Sequence, residues 1–97
     1  MTSITIKDNR WNVAGDIFVD NANTVLTESR SLSMANGLCI DLAAVADVDT
    51  AALSLLLEWQ RRANTENLQV TFTNLPESLV SLASLYGVSD FISVHTH

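Results

Sequence analysis

The sequence predicts an α/β domain, a mixed sheet of four to five strands with about three helices packed on it. Three observations predict it. Two alternating apolar runs joined by Asp8-Asn9 read as a hairpin. Beyond them, period-2 alternation and helical spacing take turns along the chain, as strand-helix-strand crossovers require. Turn formers fall between those runs, at Gly15-Asp16, at Ala35-Asn36-Gly37 and at Gly87. With 97 residues the chain suffices for one domain, residues 1–97, built on a single two-layer core.

The elements follow in order. Ile4 and Ile6 alternate with polar residues, and Trp11 and Val13 do the same after the Asp8-Asn9 turn. Residues 20–33 carry Ala22, Val25, Leu26, Ser29 and Leu32 on one helical face, with Asp20 or Asn21 as the cap. Gly37 then turns the chain into a strand at Leu38, Ile40 and Leu42, in which Cys39 is expected to be a small buried residue and Asp41 to face away. Past residues 45–48 the apolar spacing becomes helical, with Ala52, Leu55, Leu56, Trp59 and Ala63 forming a core stripe. Asp47 and Asp49 sit in the turn into that helix, where short acids cap backbone N–H groups. A polar break at residues 64–67 precedes a strand at Val70 and Phe72. Pro76-Glu77 opens the third helix, whose core face is Leu79, Leu82, Ala83 and Tyr86, and Gly87 ends it. Residues 91–94 suit a short edge strand, and the tail at residues 95–97 is expected to fray.

Charge and composition narrow the function. Eleven acids against five Lys and Arg give a net charge of −6, the wrong sign for a phosphate backbone or an anionic membrane surface. A basic patch on a protein partner would instead be steered to this chain. One cysteine allows no internal disulfide, and no run approaches the length of a membrane span or signal peptide, so a cytoplasmic protein is expected. Three scattered glycines exclude glycine-rich nucleotide loops. His95 and His97 lack partners at metal-ligand spacing, and the carboxylates Asp41, Asp47 and Asp49 read as caps and strand-end acids because no second base or nucleophile accompanies them. No cofactor, metal or catalytic residue is therefore expected.

The helix after Thr50 has more apolar surface than one sheet contact needs. Leu53 and Leu57 fall round the helix toward Thr50, Ser54 and Arg61. Either another element covers the two leucines, or they form an apolar docking patch around the hydroxyl at the helix start.

The runs Asp41-Leu42, Val48-Asp49-Thr50-Ala51-Ala52-Leu53 and Leu82-Ala83-Ser84-Leu85-Tyr86-Gly87-Val88 resemble the STAS domain family, across nearly the whole chain. Ala52 stands where glycine is common in that family, and Phe18 replaces an acid after Gly15-Asp16-Ile17. The resemblance implies a STAS-like fold. Threonine at position 50 and the Leu-Ala-x-Leu-Tyr run are most similar to the branch that serves bacterial phospholipid-trafficking ABC transporters. That similarity implies a non-enzymatic subunit, peripheral to the inner membrane, which binds the transporter's cytoplasmic ATPase in a complex with permease and lipid-binding subunits. The resemblance gives Thr50 as the matching contact residue, and with the apolar patch beside it the expected contact set is Thr50, Asp49, Leu53, Ser54, Leu57 and Arg61. The alternative implied by the same family is an anti-sigma factor antagonist phosphorylated at Thr50.

Overall fold

In the computed structural model, which describes residues 2–92 and 94–95, the chain opens with the hairpin of β1 (Ser3–Ile6) and β2 (Arg10–Ile17). Asp8 and Asn9 both take positive φ, 50° and 59°, which is the backbone of a two-residue hairpin turn. There follow α1 (Ala22–Arg30), β3 (Leu38–Val48), α2 (Thr50–Thr65), β4 (Val70–Thr73) and α3 (Glu77–Leu85). A 3₁₀ turn at Ser89–Phe91 leads to β5 (Val94–His95). The five strands lie in sequence order, β1 antiparallel to β2 and every later pair parallel. All three crossovers step the same way across the sheet, so right-handed connections put all three helices on one face. Burial agrees: Trp11, Val13, Leu38, Ile40, Leu42, Val70 and Phe72 are buried, whereas Asn12, Cys39, Asp41 and Thr71, pointing the other way, are half-buried.

The core lies between sheet and helices. The expected stripe of α2 is wholly buried, and the Trp59 indole meets Trp11 edge-to-face with ring centroids 5.7 Å apart. The buried Ser29 hydroxyl accepts from Trp59 Nε1 at 2.9 Å and donates to the Leu26 carbonyl at 2.7 Å. Arg62 of α2 reaches the end of α1, donating from Nη1 to the Ser29 carbonyl and from Nη2 to the Leu32 carbonyl. The Ser29 carbonyl also accepts from the Leu32 N–H at 3.0 Å, so Arg62 adds a second donor where α1 ends.

Several expectations are corrected. β2 does not end at Gly15, and β3 runs on through residues expected to form a loop. Between the pairs Asn12↔Asp41 and Ala14↔Ala44, and again between Gly15↔Val45 and Ile17↔Val48, β3 has one residue more than β2. Each bulge breaks the alternation, which is why the sequence looked strandless there and why Asp47 belongs to the strand. Cys39 is half-buried on the open face rather than in the core, because it alternates with Leu38 and Ile40. Asn21 does not cap α1 with its side chain, which is used elsewhere, and α1 ends at Arg30. Tyr86 lies past the last turn of α3 and is 59% exposed. Phe91 belongs to the 3₁₀ turn, so the edge strand starts later than expected. Ser93 and the tail residues 96 and 97, including the His97 weighed as a ligand, lie outside the described residues.

Candidate partner-docking site

The strand-to-helix hinge is built around one carboxylate. Asp49 Oδ1 accepts from the Ala51 N–H at 2.8 Å, capping α2, and Oδ2 accepts from the Val19 N–H at 2.9 Å. Its own N–H donates to the Ile17 carbonyl at 3.2 Å. Asp49 thus joins the start of α2 to the loop that follows β2. Asn21 holds the other side of that loop: Oδ1 accepts from the Phe18 N–H, and Nδ2 donates to the Asp16 carbonyl and to Thr2 Oγ1. The Thr2 hydroxyl donates to the same Asp16 carbonyl. With residues 18–21 fixed by these bonds, Val19 projects outward, 79% exposed, beside Thr50 at the first turn of α2.

The six residues expected to form the contact fall in four places. Thr50 and Ser54 are exposed and, with Glu58, face α1 across a groove of about 390 Å³. Its apolar wall comes from Val19, Ala22, Leu26, Ala51 and Leu55. Leu57 and Arg61 line a hollow of about 540 Å³ on the other flank of α2, opposite Val88 and Phe91. Arg61 Nη1 lies 3.7 Å from Glu58 Oε1, a loose pair between exposed side chains that contributes little. Asp49 stands at the head of the helix with both oxygens engaged by the backbone. Leu53 is 5% exposed and part of the core, so it cannot meet a partner in this fold. The exposed stripe of α2 therefore runs from Thr50 through Ser54 to Arg61, with Leu57 half-buried beside it and an apolar recess on either side. Val19, Asn23 and Leu26 were not expected here. Asn23 and Leu26 reach the site because α1 packs beside α2, and Val19 because Asp49 ties its loop to the start of α2.

The acids elsewhere serve the fold. Asp41, on the open face, accepts from the Ala43 N–H at 2.8 Å, from Asn74 Nδ2 at 3.1 Å and from Arg10 Nη1 at 2.8 Å. Burial pushes its carboxyl pKa up, but the hydrogen bonds from Ala43, Asn74 and Arg10, aided by the Arg10 charge, outweigh it and hold the group below its ordinary value. Asp16 Oδ1 accepts from the Asp47 N–H at 3.3 Å. Among the described residues no group of three His, Cys, Asp or Glu side chains is placed to hold a metal ion, and no helix is long and apolar enough to cross a membrane.

A family model described as "Mlab, STAS domain" matches residues 2–94. No curated protein matches the sequence. Among solved structures, the fold is similar to a candidate anti-sigma factor antagonist from Thermotoga maritima, with TM-score 0.73 and 11% identity over 99% of this chain and 86% of that one. It is also similar to the anti-sigma factor antagonist SpoIIAA in its unphosphorylated form, with TM-score 0.65 and 8% identity over 100% of this chain and 89% of that one. A serine-to-glutamate variant of RsbS from Moorella thermoacetica gives TM-score 0.62 and 18% identity over 99% and 86%. At such identities the likeness speaks for the fold.

Proposed function

The chain belongs to the MlaB family of STAS domains, and we propose that it is a non-enzymatic accessory subunit of a phospholipid-transport ABC transporter. In this reading it binds the cytoplasmic, MlaF-like ATPase subunit, supports its assembly and activity beside the permease and lipid-binding subunits, and is held at the inner membrane only through them. The lipid traffic served would be that which maintains outer-membrane asymmetry. The observation that carries the reading is the exposed Thr50 hydroxyl at the start of α2, next to an apolar groove and at the head of an exposed stripe through Ser54 and Arg61 with half-buried Leu57 beside it. An uncharged hydroxyl there can hydrogen-bond to a partner without the desolvation cost of a buried charge.

Thr50→Glu puts a carboxylate beside Asp47 and Asp49 at this contact, and co-purification with the ATPase should fall by about tenfold or more. Thermal unfolding should change little, since Thr50 is exposed and ends no internal network. Undiminished co-purification and lipid transport would refute the reading.

A second reading has its own support. The solved structures of similar fold include proteins described as anti-sigma factor antagonists, and Thr50 is accessible to a kinase. In that case a partner kinase adds phosphate to Thr50, creating about two negative charges that repel Asp47 and Asp49 and switch binding off. Mass spectrometry after incubation with the cell's candidate switch kinases decides it: phosphate on Thr50 favours the switch, and an unmodified chain that binds the ATPase favours the transporter.

A further inference from the structure

The groove between α1 and α2 has an apolar floor and acids at or near its edge, Glu58 being loosely paired with Arg61 at 3.7 Å. Glu58 lines it directly. Asp49 sits at its head, hydrogen-bonded to the N–H groups of Val19 and Ala51, two of the lining residues. Asp20 is exposed and adjoins Val19 in the chain. Among the described residues no Lys or Arg lines the groove, whereas Arg61 lines the hollow on the other flank of α2. Both Asp49 oxygens accept backbone N–H groups, so a cation at the head of the groove meets this carboxylate electrostatically rather than through a new hydrogen bond. Asp49 and Glu58 lie nine residues apart along α2, about 13 Å at about 1.5 Å per residue, so they act together on an approaching segment chiefly at low salt.

We infer that this groove receives a basic segment of the ATPase subunit, whose apolar side chain enters between Val19, Leu26 and Ala51 while flanking Lys or Arg side chains meet Asp20, Asp49 and Glu58. The inference rests on the docking reading above and adds the chemistry of the partner. A chain of net charge −6 repels an acidic or phosphate-bearing segment and draws in a basic one, so the rim sets the approach and the apolar recess sets the hold. The partner is therefore recognised through a pattern of apolar anchor and adjacent positive charge.

The test is association of the whole chain with the purified ATPase subunit, followed in real time at about 50 mM and about 300 mM salt. For Asp20→Lys with Glu58→Lys, association at low salt should be about tenfold slower than for the unaltered chain, and the gap should close at high salt. Both positions are exposed, so the melting temperature should hold within about 2 °C. Leu26→Asn, in the groove wall, should instead speed dissociation by about tenfold. Equal association rates for the charge-reversed and unaltered chains at both salts would overturn the basic-segment inference while leaving ATPase docking standing, and unchanged dissociation of Leu26→Asn would overturn the apolar anchor. Failure of the unaltered chain to bind the ATPase at either salt removes the docking reading, and the inference falls with it.

Discussion

Asp49 is where one side chain determines the site. Aspartate is short enough to cap its own helix from the N-cap position, and the second oxygen remains free to take the Val19 N–H from the neighbouring loop. Glutamate would carry the carboxylate too far, and alanine would leave two donors without partners. Asp49→Ala should cost about 2 kcal/mol in urea unfolding, the loss of a cap plus a loop tie. The Val19 amide should also exchange with solvent faster, which a simple helix-cap loss would not require. A change under about 0.5 kcal/mol with unaltered Val19 exchange would show that the carboxylate does not hold the loop. Asp49 thus has a positioning role beside any contact it makes: it sets Val19 and Thr50 side by side.

At the scale of elements, α1 matters more than its weak sequence signal suggests. Its polar residues are poor helix formers, and its position comes from α2, through the Trp59 to Ser29 hydrogen bond and the Arg62 bonds to the Ser29 and Leu32 carbonyls. Ser29→Ala leaves the buried indole N–H without an acceptor. It should destabilise the domain by about 1–3 kcal/mol, with a change in tryptophan emission as that N–H loses its partner. Since α1 supplies Leu26 and Ala22 to the groove wall, partner binding should weaken in step with the loss of α1 packing. Preserved stability together with unaltered emission would mean that the helix is held by apolar contacts alone. Arg62 gives no such warning in the sequence, where it reads as one more exposed cation beside Arg61; only the approach of α1 gives it two carbonyls to bind.

For the molecule as a whole, a single sheet with helices on one face leaves the other face to solvent, and Asp41 ties that face together. It links β3 to Arg10 of β2 and to Asn74, which follows β4. Because folding lowers its pKa, its stabilisation is fully present above the unfolded value, about 3.9, and disappears as pH falls through the lower folded value. Asp41→Asn should therefore melt roughly 4 °C lower at neutral pH and coincide with the unaltered chain once the pH is below that folded value. A gap that persisted in strong acid would assign the effect to packing rather than to charge.

The sequence by itself determined the order and kind of nearly every element, the buried stripe of α2, the hinge acid and the family. Those features depend on period, capping and turn chemistry, which act over a few residues and so can be read along the chain. Only the tertiary structure decided that the stretch before Asp49 is a twice-bulged strand, since a bulge is defined by the partner strand. It also decided that Leu53 is core, and that Val19 and Leu26 stand beside Thr50. Helical spacing places a side chain on a face, but which neighbour covers that face is fixed by long-range packing, and the groove exists only between two helices that the sheet brings together.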